Sequence, residues 1–173
     1  MGHEEHRRLG RRPARVFVVT ASDTRGEAQD ESGRYLRDAV AAAGHELAGY
    51  RLVKDEPVQI RAVLEEAAAA GAAAVIVNGG TGISPRDRTH EAVAGLLEKR
   101  IDGFGELFRH LSFQEIGSAA MLSRAVAGVW RGLVLFSVPG STAAVRLAWE
   151  RLIAPELGHV VHEIGKGAGG HAP

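Results

Sequence analysis

Apolar and polar positions alternate along the chain in two periods. Val16-Phe17-Val18-Val19-Thr20 is a short continuous apolar run, which predicts a buried strand. Leu36, Ala39, Val40 and Ala43 then recur at helical spacing up to Gly44. Glu46 to Lys54 predicts a second strand. Ile60, Val63, Leu64, Ala67 and Ala68 predict a helix ending at Gly71, and Ala74-Val75-Ile76-Val77 a third strand. Val93, Leu96 and Leu97 mark a further helix, with Thr89 as its expected N-cap. Phe104, Leu107, Phe108 and Leu111 repeat the helical pattern. Leu133 to Val138 reads as a strong strand. Val145, Ala148, Trp149, Leu152 and Ile153 form the stripe of the next helix, and Leu157, Val160, Val161 and Ile164 that of the last. Ser112 to Arg131 carries no clear period; within it, Ala119 to Val126 reads as a strand or as a helix end.

Strands of near-continuous apolar residues, each followed by a helix, predict an α/β fold. The expected architecture is a three-layer α/β/α sandwich with a mostly parallel sheet and helices on both faces. At 173 residues the chain suits one domain. The polar start, residues 1–13, is expected to be a flexible arm, and the glycine-rich tail, 165–173, likewise, leaving 14–164 as the domain. His3, His6 and His171 lie in those ends and read as solvated side chains.

Composition narrows the function. Hydrophobic residues are 45% of the chain, enough for a sizeable core, and the formal net charge is zero. A balanced charge argues against a nucleic-acid binder driven by bulk electrostatics. There is no cysteine, so disulfides and thiol catalysis are excluded, which fits a cytoplasmic protein. No apolar run approaches the ~20 residues of a membrane span, and no secretory signal is apparent.

In parallel sheets ligands gather beyond the carboxyl ends of the strands. Four polar loops fall there: Thr20 to Gly33, Lys54 to Pro57, "NGGTGISPRD" from Asn78 to Asp87, and "VPGSTAAV" from Val138 to Val145. The glycine loop matches neither the dinucleotide fingerprint nor a Walker loop. Its glycines free the backbone to bring N–H groups close to an anion. Ser141 and Thr142 stand at a helix start, where free N–H groups favour anions. Asp30, Asp55 and Asp87 each also suit a helix cap or ion pair, as does Arg86. Carboxylates on a phosphate-seeking rim need a cation between them, such as Mg²⁺, or a flat heterocycle donating paired N–H groups.

The segments "VNGGTGISPRDRTHEAV", "GFGELFRHLSFQEIGSAAMLSRAVAGV", "FSVPGS" and "PELGHVVHEI", in that order, together resemble the MoaB/MogA family of molybdenum cofactor biosynthesis proteins. "SDTRGEAQDESG" is similar to the family's first ligand loop. The resemblance spans about residues 15–164, and the long helical segment leans toward the MoaB branch. It implies a molybdopterin-binding fold that assembles as trimers or hexamers. It implies adenylyl transfer from Mg-ATP to the terminal phosphate of molybdopterin, with release of pyrophosphate and delivery of the product to a molybdate-insertion protein. Asp55 and Asp87 match the family's two functional aspartates, as catalytic residues and Mg²⁺ ligands. Substrate and nucleotide contacts carry over to Ser22, Asp23, Asp30, Gly79, Gly80, Thr81, Gly82, Arg86, Pro139, Gly140 and Ser141. The alternatives are a non-catalytic molybdopterin binder or carrier on this fold, a nucleotide-processing relative, and an assembly module. The last would use the apolar stretch around Phe104, Phe108, Phe113 and Met121.

Overall fold

The computed structural model describes residues 12–166. Most of the expected arm and tail, with His3, His6 and His171, lies outside the described residues. Strands β1 (Arg15–Ala21), β2 (Glu46–Val53), β3 (Ala74–Asn78), β4 (Lys99–Arg100), β5 (Val126–Trp130) and β6 (Leu133–Val138) form one sheet. Helices are α1 (Glu31–Ala42), α2 (Pro57–Ala69), α3 (Thr89–Ala94), α4 (Asp102–Ile116), α5 (Thr142–Ala148) and α6 (Ala154–Gly165). The sheet order is β2-β1-β3-β6-β5-β4. The first four strands run parallel, and β5 and β4 add an antiparallel edge.

Alternation along β1 explains the three layers. Val16 and Val18 point to one face, where they pack with Leu36 and Val40 of α1, Phe104 and Phe108 of α4, and Leu157 of α6. Phe17 and Val19 point to the other, against Ile60, Val63 and Leu64 of α2 and Val93 of α3. Residues on β3 and β6 are buried throughout, as strands covered on both faces must be. Edge strand β2 has no fully buried residue, which accounts for its weaker apolar signal.

One local expectation is corrected, one open segment resolved and one junction added. Thr89 is not an N-cap: Arg88 holds that position, and Thr89 is the first residue of α3, fully buried. The unassigned segment becomes a 3₁₀ turn (Gly117–Leu122) followed by β5. Gly128 interrupts the β-branched run and blurs the signal, yet it is what admits β4, because a Cβ there would lie 2.3 Å from the Lys99 carbonyl oxygen. Arg131 and Gly132, both at positive φ (48° and 79°), then make the tight hairpin into β6. Finally, α5 and α6 join through a π-helical stretch, Trp149–Ile153, so their two apolar stripes follow one another without a loop.

Candidate active site

The loops after β1, β2, β3 and β6 converge on one cleft of about 490 Å³. Ser22, Asp23, Asp55, Gly79, Gly80, Thr81, Gly82, Arg86, Asp87, Pro139, Gly140 and Ser141 all line it. The parallel register places the carboxyl ends of these strands side by side, so loops far apart in sequence meet.

The first loop starts inside the sheet ladder, with the Ser22 N–H donating to the Val53 carbonyl at 2.9 Å. Ser22 Oγ accepts the Arg25 N–H at 3.1 Å and turns the chain. Asp23 then ties three loops together. Its Oδ1 accepts the Asp55 N–H at 3.1 Å, and its Oδ2 accepts both Nε and Nη2 of Arg86, at 3.1 and 2.8 Å. The Arg86 hydrogen bond, with the Asp55 N–H behind it, holds the Asp23 carboxyl below the usual carboxylate range.

Asp55 is 5% exposed. Its Oδ1 accepts the Thr89 hydroxyl at 2.7 Å and the Arg88 N–H at 3.1 Å. Its Oδ2 lies against the glycine loop. At Gly80, where φ is +63°, a Cβ would sit 2.5 Å from that oxygen and 2.3 Å from Thr89 Oγ1. At Gly79, where φ is +99°, a Cβ would sit 2.1 Å from the Ala21 carbonyl oxygen. The loop therefore needs bare backbone at both positions, for conformation and for space. Asp87 folds the end of the loop back on itself: its Oδ2 accepts the Ser84 N–H at 3.0 Å. Ser141 Oγ accepts the Ala144 N–H at 3.2 Å and caps α5.

Asp30 does not reach the cleft. It is fully buried and caps α1, accepting the Gly33 N–H at 3.0 Å and the Tyr50 hydroxyl at 2.5 Å. Its expected place among the substrate contacts is thus corrected to a structural one. Burial pushes its carboxyl up, but hydrogen bonds from Tyr50, Thr20, Gly33 and Ser32 outweigh this and bring it below its ordinary value.

Two residues absent from the sequence reading shape the cleft. Arg25 lines it and donates to the Gly140 carbonyl at 3.0 Å. Arg124 donates from Nε to the Thr81 carbonyl at 2.9 Å and also holds the Gly82 carbonyl and Glu91. It comes from the segment without a clear period, so only its charge could have flagged it.

A hard divalent cation fits the donor set in one respect. Mg²⁺ is ordinarily held by one or two carboxylates, completed by phosphate oxygens and water. Asp55 and Asp87 border the same cleft, and one oxygen of each, Asp55 Oδ2 and Asp87 Oδ1, carries no hydrogen bond among the described residues. No group of three or more His, Asp or Glu among those residues is placed to hold a metal by itself. Any ion here would depend on ligand oxygens.

The family described as "Probable molybdopterin binding domain" matches residues 15–159. The molybdenum cofactor biosynthesis protein B of Halalkalibacterium halodurans is 52% identical over 166 residues, covering 95% of this chain and 98% of the relative. A crystal structure of a molybdenum cofactor biosynthesis protein B superposes with a TM-score of 0.85 at 50% identity, covering 90% of this chain and 98% of that one. The tungsten cofactor synthesizing protein MoaB from Pyrococcus furiosus gives 0.83 at 36% identity, covering 88% and 98%. With the MoaB/MogA sandwich, the converging loops and these matches together, the chain belongs to the molybdopterin-binding domain family that includes the molybdenum cofactor biosynthesis B proteins.

Proposed function

We propose that the protein acts in molybdenum cofactor biosynthesis as a molybdopterin adenylyltransferase, using Mg-ATP and molybdopterin. The observation that carries this reading is the placement of Asp55 and Asp87 in one cleft, each against a bare glycine of the same loop. A terminal phosphate oxygen of the pterin attacks the α-phosphorus of ATP. The bond from that phosphorus to the bridging oxygen breaks, and pyrophosphate leaves with the electron pair. The nucleophile is already an anion, so no protein base has to remove a proton. The chain's task is to bind two anions side by side and in line.

Asp55 and Asp87 are the residues that would hold Mg²⁺. When bound, the ion supplies charge neutralisation between the phosphates. The buried bonds to Thr89 and the Arg88 N–H orient the Asp55 carboxylate, so its second oxygen is presented without further ordering. Gly79 to Gly82 offer backbone at closest approach, and Arg124 holds their outer carbonyls in place.

Incubation with Mg-ATP and molybdopterin, followed for pyrophosphate and the adenylylated pterin, tests this. Pterin binding without pyrophosphate release would leave a carrier in place of an enzyme. For assembly, we assign Phe113, Ile116 and Met121, which are 59%, 57% and 79% exposed, to self-association as a trimer or hexamer. Sedimentation of the wild type and Phe113→Glu checks this. The adenylylated product would pass to a molybdate-insertion protein.

A further inference from the structure

The cleft holds two guanidinium groups, and their electrostatic situations differ. Arg86 is engaged: both Nε and Nη2 donate to Asp23 Oδ2. Arg25 has no carboxylate partner within 4.0 Å among the described residues. Its Nη1 donates to the Gly140 carbonyl at 3.0 Å and to Ser32 Oγ at 3.3 Å, both uncharged acceptors. Arg25 Nε and Nη2 make no hydrogen bond to the described residues. Among the groups lining the cleft, Asp23, Asp55 and Asp87 are negative, and Arg25 alone carries a positive charge that no carboxylate offsets.

The position of the Arg25 guanidinium is set by two acceptors, each packed against the glycine loop or the residue before it. Gly140 lies against Gly79, since a Cβ at Gly140 would be 2.9 Å from the Gly79 Cα. Ser32 Oγ lies 2.8 Å from Asn78 Oδ1, and Asn78 directly precedes Gly79. Asn78 is itself anchored by donating to the Val19 carbonyl at 3.0 Å and Thr20 Oγ1 at 2.9 Å. Arg25 therefore sits where the first loop, the glycine loop and the proline-glycine loop meet. A guanidinium held by one nitrogen, with other N–H donors unused, is preorganised for a bidentate phosphate contact.

We propose that Arg25 is the principal polyphosphate ligand of the cleft, gripping the pyrophosphate portion of the nucleotide, while Arg86 serves mainly to hold Asp23. This rests on the nucleotide reading of the cleft given above. It departs from what the glycine loop's own arginine suggests. The physical reason is competition. A phosphate reaching Arg86 meets a guanidinium whose Nε–Nη2 edge is taken and whose charge is offset by the Asp23 carboxylate, which also repels it, whereas one reaching Arg25 adds bonds to donors that lack acceptors and to a charge no carboxylate offsets.

The test is titration of inorganic pyrophosphate, in magnesium-containing buffer, into the wild type and into Arg25→Gln, Arg25→Lys and Arg86→Gln. Calorimetry gives affinity, and circular dichroism checks the fold. Arg25→Gln should weaken binding by about tenfold or more, the loss expected for a charge-assisted contact. It should weaken binding more than Arg86→Gln does. Arg25→Lys, which keeps the charge, should bind more tightly than Arg25→Gln. Equal or greater loss in Arg86→Gln, or equal binding by the two Arg25 variants, overturns the proposal. So does a wild type that binds no pyrophosphate. If that same wild type still forms adenylylated pterin, the proposed function stands without Arg25. If pyrophosphate binding follows Arg25 but no adenylyl transfer occurs, the anion site stands and the enzyme reading falls.

Discussion

The Thr89 hydroxyl donates to Asp55 Oδ1 at 2.7 Å, tying the loop after β2 to the first turn of α3. Both residues are buried, and the glycine loop lies between the segments they anchor. Thr89→Val keeps the shape and removes the donor. It should cost about 1–3 kcal/mol, since Asp55 Oδ1 loses its shortest buried hydrogen bond. Urea denaturation measures the cost. The same variant should lower kcat for adenylyl transfer, because the Asp55 carboxylate is left less firmly oriented.

Asp87→Asn should leave the fold intact and abolish adenylyl transfer. An amide oxygen can still accept the Ser84 N–H, so the loop keeps its closing bond. The charge that would hold Mg²⁺ is lost. Undiminished turnover of the purified variant removes Asp87 from the catalytic set.

Gly80→Ala should destabilise the protein by about 2–4 kcal/mol, combining left-handed backbone strain with overpacking. The added methyl would overlap both Thr89 Oγ1 and Asp55 Oδ2. The midpoint of urea unfolding reads the effect. A midpoint within error of wild type would show that the loop relaxes freely, against the close approach described above.

Asp30→Asn should cost about 1–3 kcal/mol at pH 7, since an amide cannot accept from Gly33, Tyr50 and Ser32 as a carboxylate does. The Asp30 carboxyl is depressed in the folded chain relative to its ordinary value of 3.8. Its contribution is therefore present above about pH 4 and lost as pH falls through the folded value. The stability difference between wild type and Asp30→Asn should narrow as unfolding is measured from pH 5 downward.

Arg124→Gln should cost about 1–2 kcal/mol, since a half-buried guanidinium loses its charge-assisted bonds to two carbonyls and Glu91. It should lower kcat/KM roughly tenfold by releasing the carbonyls of Thr81 and Gly82. Steady-state kinetics beside a melting curve separates the two effects.

Much of this molecule was legible in the order of its residues. Val16–Val19, Ala74–Val77 and Leu133–Val138 are buried on both faces, so their apolar runs are unbroken and each marked a strand. Helical stripes such as Ile60, Val63, Leu64 and Ala67 were equally plain, because burial on a helix recurs at a fixed spacing. The rule that ligands collect beyond parallel strand ends assigns Asp55, Asp87, Gly79–Gly82 and Pro139–Ser141 to one rim from the order of elements alone.

Tertiary structure alone decided the rest. Strands β4 and β5 are held by pairing across Gly128, a contact between segments about thirty residues apart that leaves no local period. The roles of Asp30, Thr89, Arg25 and Arg86 depended on which polar group each met in space. Asp30 met Tyr50, Thr89 met Asp55, and Arg86 met Asp23, while Arg25 met only uncharged acceptors. Periodicity records which side of an element is buried, because burial repeats along the chain. A hydrogen-bond partner brought in from another loop does not repeat, so only the folded arrangement fixes it.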